Sequence, residues 1–333
     1  MSKVKLTLAC YIYDRTLPLL LGEVKPEGVE LNYLPLWVQE TFSRMIKNRE
    51  FEVSEMSFGG YLESLNSPNP PFIAIPVFPS KMFRHRSIYV NKNSDINDPK
   101  DLKGKRIGVP EWRQTASVWI KGILNEFYEV PYDSVTYYVG PLENREVSRR
   151  MAETDMLRVK QGIKVERISQ GKTLSEMLDR GEIDAVYSAQ APSSFLKGSN
   201  VKRLFENYRE VEIEFYRKTR IYPIMHVIVI RRDIYEEYPW VAYNLYKAFE
   251  ESKNIAFNEI YNVSQFGVAY MFAPWIQNDF EIMRSISGDD FWPYGVSKNY
   301  KTIETFIRYC YEQGIIDKQL NPREIFAKET QDT

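Results

Sequence analysis

The 333-residue sequence predicts an α/β fold of two lobes, each a mixed, mostly parallel sheet flanked by helices with a ligand cleft between them. Three observations predict it. Short apolar runs of strand character alternate with segments of helical periodicity from residue 4 onward. That rhythm restarts after a linker-like stretch, in residues 101–116 (DLKGKRIGVPEWRQTA). Residues 223–230 (PIMHVIVI) are apolar on both faces, as a doubly covered strand should be, and suit a chain returning to its first sheet.

Val4, Leu6 and Leu8 alternate with Lys5 and Thr7 and make the first strand. A polar loop (YIYDRT, 11–16) then leads into a short helix. Residues 28–36 alternate as a second strand, and 41–49 are helical with Phe42, Met45 and Ile46 inward. Residues 51–57 form a third strand that ends in Gly59-Gly60, and 72–77 the next. The aromatic, charged stretch 79–90 and the linker-like 91–99 bring the first crossing between lobes. In the second lobe, strand 106–109 breaks at Pro110 and feeds a helix with Ala116, Trp119, Ile120, Ile123, Leu124 and Phe127 on one face. Such a junction leaves backbone N–H groups and a positive dipole end for an anion, although an isolated turn of this kind is more often only a connection. Strands follow at 134–139, 163–168 and 184–189, with a capping box at 173–176 and a helix stop at Gly181. The charged segment 143–161 reads as a surface helix or excursion suited to an oligomer contact. From Asp233 the chain is largely helical, interrupted by the aromatic loop 289–295 (DDFWPYG). The expected lobes are 1–90 with 226–333, and 91–225.

Composition narrows the function classes. With 44 basic and 45 acidic residues the net charge is −1, which argues against nucleic acid and against an anionic membrane surface. No apolar run reaches the roughly 18 residues of a membrane span, and the first ten residues alternate instead of forming a leader, so a cytoplasmic protein is expected. Cys10 and Cys310 read as buried thiols. The two histidines are distant in sequence with no close acidic cluster, so no metal site is expected. Glycine-rich phosphate loops and the Gly-x-Ser-x-Gly nucleophile elbow are absent.

Several stretches carry a resemblance. The DLKGKRIGVP segment looks like the second-lobe start of nitrate, sulfonate and thiamine-precursor binding proteins, which implies a type II periplasmic-binding-protein-like fold. KLTLAC (5–10), YDRT (13–16), FIAIPVFPS (72–80), MFRH (82–85), APSSF (191–195), PIMH (223–226) and DDFWPYG (289–295) together resemble the 4,5-dihydroxyphthalate decarboxylases. That resemblance implies conversion of a hydroxylated aromatic dicarboxylate to protocatechuate and CO2 in phthalate breakdown, by a homo-oligomer without an organic cofactor. Gln190 stands where the family commonly has an arginine before Ala-Pro-Ser, and Tyr11-Ile12 where Gly-Asp is common. An arginine fork is not interchangeable with an amide, so a different phenolic acid is a second reading. A third is a solute-binding protein of the same fold that captures a small carboxylate for an ABC transporter without chemistry.

The implied reaction needs carboxylate holders and a proton donor to a ring carbon. Arginine forks suit the first task and a histidine the second. His85 and His226 both fall on expected crossing strands at the floor of the cleft, and His85 is expected to act with Arg113 from the opposite lobe. Either histidine alone also fits a hydrogen-bonded structural role. If 83–88 is a regular strand, Arg84 and Arg86 share the face opposite His85, which leaves Arg84 a possible carboxylate holder. Ser57, Thr115, Ser188, Gln190 and Ser193 lie at expected strand ends or helix starts, where such lobes place ligands and where Ser and Thr also serve as caps. Asp14 and Arg15 are expected to pair at the rim, and Trp292 and Tyr294 to stack on an aromatic ring or pack their loop. Glu55 and Glu111 are reserve proton donors, should their surroundings raise their pKa.

Overall fold

The computed structural model describes residues 3–144, 157–265 and 275–333. It contains two sheets. The first orders its strands β2 (Val29–Leu34), β1 (Val4–Ala9), β3 (Val53–Ser57), β11 (Ile224–Arg231) and β4 (Phe72–Lys81). β1 runs parallel to β2 and β3, whereas β11 is antiparallel to both β3 and β4. The second sheet is β10 (Val201–Arg203), β5 (Ile88–Asn91), β9 (Ala185–Tyr187), β6 (Arg106–Val109), β7 (Thr136–Val139) and β8 (Lys164–Arg167). Here β9, β6, β7 and β8 are parallel, and β5 is antiparallel to its neighbours. Chain direction reverses in each sheet at the strand that follows a crossing. The chain leaves the first sheet for the second between β4, ending at 81, and β5, starting at 88, and returns between β10, ending at 203, and β11, starting at 224. Of the charged segment 143–161, residues 145–156 lie outside the described residues.

The core is continuous between the sheets because helices bridge them. In the first sheet's layer, α1 (Leu17–Leu20), α2 (Val38–Asn48) and α3 (Phe58–Ser64) follow their strands. The 115–127 helix, α4, belongs to the second sheet. The C-terminal helix Tyr300–Glu312 wedges between α3 and α4, with Phe306 stacked on Phe58 at 4.9 Å and on Trp119 at 5.0 Å. Gly122 permits this wedge, since a Cβ there would run into the Tyr309 ring. Phe127, expected on the inner face of α4, is 41% exposed at its C-terminal end.

Two local expectations are corrected. Gly59-Gly60 does not end a strand but opens α3, whose N-cap is Ser57. Residues 83–88 are not a regular strand: His85–Ser87 is a 3-10 turn between β4 and β5.

Candidate active site

The site is built where β11 passes β4. Pro76-Val77-Phe78-Pro79 interrupts β4, and two prolines cannot donate to a ladder. The β11–β4 register therefore slips on either side of His226, the kind of irregularity that re-aims a side chain. It also frees carbonyls for other donors. Pro79 O accepts from Arg15 Nε at 2.7 Å and from Arg15 Nη2, Phe78 O accepts from Trp292 Nε1 at 2.9 Å, and Pro76 O accepts from Gly295 N at 2.9 Å. The aromatic loop is thus tied to the strand that faces His226. Lys81, buried, donates to Pro293 O and Asn299 Oδ1, both at 2.8 Å, and burial pushes its ammonium well below the ordinary range.

His226 is paired across β3 with Ser57 and keeps 17% of its side chain exposed. Its Nδ1 lies 2.6 Å from Oε1 of Glu55, and its ring meets Phe42 edge-on at 4.9 Å. Glu55 is fully buried. The same Oε1 accepts from the Tyr13 hydroxyl at 2.6 Å, and Oε2 accepts from Tyr11 N at 3.0 Å and from the Cys10 thiol at 3.5 Å. Burial alone would raise the Glu55 pKa, yet the net shift is downward, because the charge and hydrogen bond of His226 and the donors Tyr13 and Tyr11 outweigh it. Glu55 is therefore not a reserve proton donor but a charged anchor. Carboxylate contact at Nδ1 fixes the ring and leaves Nε2 for chemistry.

Arg15 lies beside this dyad. Its Cζ stands 4.3 Å from the centroid of Tyr13 and 4.2 Å from that of Trp292, a guanidinium held between two rings. Asp14 accepts from Nη1 at 2.8 Å, so the expected rim pair forms. Of five guanidinium N–H groups, three are committed to Pro79 and Asp14, which leaves one on each Nη.

Across the cleft, an inter-lobe recess is lined by Gln39 of α2 and by Pro110, Glu111, Gln114, Leu142, Ser188 and Gln190 of the second lobe. Gln39 stands one turn before Phe42, whose ring meets His226. Ser188 Oγ accepts from Gln190 N at 3.2 Å, and Gln114 Oε1 accepts from Ala189 N at 3.2 Å. Sequence reasoning gave no role to Gln39, a neutral amide with no motif around it, or to Gln114, which lies within the 101–116 stretch. It also missed Tyr11, Tyr13 and Trp37, whose rings meet in edge contacts around Tyr11 at 5.0 and 5.4 Å. The signals that bore on them were the abundance of tyrosine and, for Tyr13, the YDRT motif.

The remaining expected residues are placed elsewhere. His85 is 1% exposed among Tyr128, Phe205 and Phe215, and neither ring nitrogen has a partner. Desolvation pushes its pKa down to about 4, so it is neutral where a general acid must carry a proton. The turn at His85–Ser87 is what sends it inward. Arg113 is buried with Glu63 of the first lobe and lies 3.8 Å from Glu111, in an inter-lobe ion cluster. Thr115 Oγ1 accepts from Gly59 N at 2.9 Å across the same junction, and Glu111 is committed beside it. Ser57 caps α3, accepting from Gly60 N at 3.2 Å. Ser193 is held by Glu143, through its N–H at 2.6 Å and its hydroxyl at 2.9 Å. Tyr294 is a core residue, 1% exposed, with Lys253 Nζ 5.1 Å from its ring centroid. Arg84 is buried against Met225 Sδ at 3.0 Å and Ser87 Oγ at 3.4 Å, and burial lowers its pKa to about 10. Among the described residues no group of three or more His, Cys, Asp or Glu is placed to hold a metal ion.

No family model matches the chain. A 4,5-dihydroxyphthalate decarboxylase from Comamonas testosteroni is 35% identical over 327 residues, covering 98% of this chain and 97% of the relative. The chain belongs to the 4,5-dihydroxyphthalate decarboxylase family. A second decarboxylase of that name, from Pseudomonas putida, is 37% identical over 218 residues, 65% of this chain and 83% of its own. Among solved structures, the periplasmic aliphatic sulphonate-binding protein SsuA from Escherichia coli superposes with a TM-score of 0.54 at 11% identity, over 99% of both chains. A periplasmic sulfonate-binding protein from Methylobacillus flagellatus gives 0.56 at 14% identity, over 98% of this chain and 92% of the other. These likenesses show that this member of the decarboxylase family has the periplasmic-binding-protein fold. Among the described residues no helix is long and apolar enough to cross a membrane.

Proposed function

We propose that the protein is a carboxy-lyase that converts 4,5-dihydroxyphthalate to protocatechuate and CO2, with His226 as proton donor and Arg15 as carboxylate holder. The carrying observation is the Glu55–His226 pair, an imidazole fixed at 2.6 Å by a buried carboxylate beside a ring-sandwiched arginine. The near-complete match to a decarboxylase of that name supports the substrate.

In this reading Arg15 takes one carboxylate through its two uncommitted N–H groups. The hydroxyl para to the other carboxylate pushes electrons into the ring, and His226 Nε2–H delivers a proton to the carbon that bears that carboxylate. The ring carbon–carboxylate bond then breaks, CO2 leaves, and the bonding pair returns to the ring and restores aromaticity. Glu55 balances the positive charge that the imidazole carries before transfer. Gln114, Ser188 and Gln190, which line the inter-lobe recess, offer neutral hydrogen bonds to the hydroxyls. An amide at Gln190 suits a phenol better than a carboxylate.

The cytoplasmic location and homo-oligomeric state implied by the family resemblance are part of the proposal, testable by fractionation and size-exclusion chromatography. The decisive assay mixes purified protein with 4,5-dihydroxyphthalate and follows protocatechuate and CO2. His226→Asn is expected to lower turnover at least a hundredfold. Tight binding with no CO2 release by the wild type would favour a solute-binding role instead.

A further inference from the structure

Trp292, Arg15, Tyr13, Glu55 and His226 form one unbroken chain of contacts, and Tyr13 is its only member that touches both halves. One face of its ring lies against the Arg15 guanidinium at 4.3 Å, while its hydroxyl donates to Glu55 Oε1 at 2.6 Å, the oxygen that holds His226 Nδ1. Its backbone is locked as well. Thr16, fully buried, accepts from Tyr13 N at 3.1 Å through Oγ1 and donates its own N–H to Tyr13 O at 3.0 Å. Tyr11 packs edge-on at 5.4 Å. The ring is therefore not free to leave either partner.

We infer that Tyr13 is a positioning residue that ties carboxylate capture at Arg15 to the proton-donating state of His226. This rests on the decarboxylase reading given above. Its ring aligns the guanidinium and its hydroxyl sets how much of the Glu55 charge is left for the imidazole. The groups facing Glu55 are Cys10, Tyr11 N–H and Tyr13 from the segment after β1, and His226 from β11. The hydroxyl of Tyr33 on β2 donates to Tyr11 O, and Arg15 is the nearby fixed charge. Of the hydrogen bonds to Glu55, only those from Tyr13 and His226 are as short as 2.6 Å. Removing the Tyr13 donor concentrates carboxylate charge on the His226 contact and favours the protonated ring.

The test separates ring from hydroxyl. Tyr13→Phe keeps the face against Arg15, and Tyr13→Leu loses both functions. For Tyr13→Phe the expected result is kcat lowered about tenfold, KM within about twofold, and a pH profile moved upward by about one unit, the size of one charge-assisted hydrogen bond. Tyr13→Leu should also raise KM. Because the chain has two histidines, NMR titration of the imidazoles reads the same effect without turnover. The His226 signal should differ between wild type and Tyr13→Phe while the His85 signal stays in place, with His85→Phe assigning the two. Unchanged His226 titration, or a Tyr13→Phe enzyme whose stability falls while its pH profile stays put, would overturn the inference. Absence of CO2 release by the wild type would instead strike the decarboxylase reading, and the titration would still judge Tyr13.

Discussion

Replacing Glu55 by glutamine probes the central dyad with almost no change of shape. The carboxylate accepts four hydrogen bonds, two on each oxygen, and an amide can accept on one side only. If the amide oxygen faces His226 and Tyr13, its NH2 meets the Tyr11 N–H and the Cys10 thiol. If it is flipped, the NH2 opposes the His226 Nδ1–H and the Tyr13 hydroxyl, and the imidazole must change tautomer. Two donors lose their acceptor either way, and the charge that made the bonds strong is gone. At about 1.5–3 kcal/mol per bond to a charged group, partly offset because no charge is buried any longer, a stability loss of about 2–4 kcal/mol is expected. Turnover should fall about 100- to 10,000-fold, the usual worth of a positioned acid. Urea unfolding and steady-state kinetics measure the two effects. There is also a pH signature. Because the folded Glu55 pKa lies below its ordinary 4.5, its contribution is present above that pH and is lost as pH falls through the folded value. The glutamine variant should lose that part of the acid sensitivity. A variant with kcat within twofold of wild type would refute the dyad.

Other outcomes follow from the same contacts. His85 should be dispensable for chemistry yet a source of acid sensitivity: its pKa falls from 6.5 to about 4, so stability declines as pH drops between those values, by about 3 kcal/mol in total. His85→Phe should keep turnover near pH 7 and flatten that decline in thermal melts, and loss of turnover in a folded variant would restore His85 to the site. Arg113→Met leaves Glu63 buried without its arginine and should cost about 3 kcal/mol in urea unfolding, with kcat of the folded fraction little changed. Arg15→Lys keeps the charge but loses the fork and the flat stack, so KM for the dicarboxylate should rise about tenfold with a smaller change in kcat. Gly122→Ala drives a methyl into Tyr309 and should lower stability by about 1–3 kcal/mol, read as a reduced melting temperature.

The sequence by itself determined the α/β class and nearly every strand, because alternation and apolar runs are local signals that burial on a sheet enforces. The resemblance carried by its motifs pointed to the family, and the pairing of Asp14 with Arg15 follows from adjacency. Tertiary structure decided where each histidine sits. His85 and His226 look alike in sequence, each beside a crossing, but the 3-10 turn at 85–87 rotates one into an aromatic cage, while the other lies where the β11–β4 register slips and keeps 17% of its side chain exposed. It also decided that Arg113 answers Glu63, 50 residues away, and that Glu55 answers His226, 171 residues away. Periodicity gives the face on which a side chain lies. What that side chain meets depends on how the two sheets and the bridging helices close, and no local pattern encodes that.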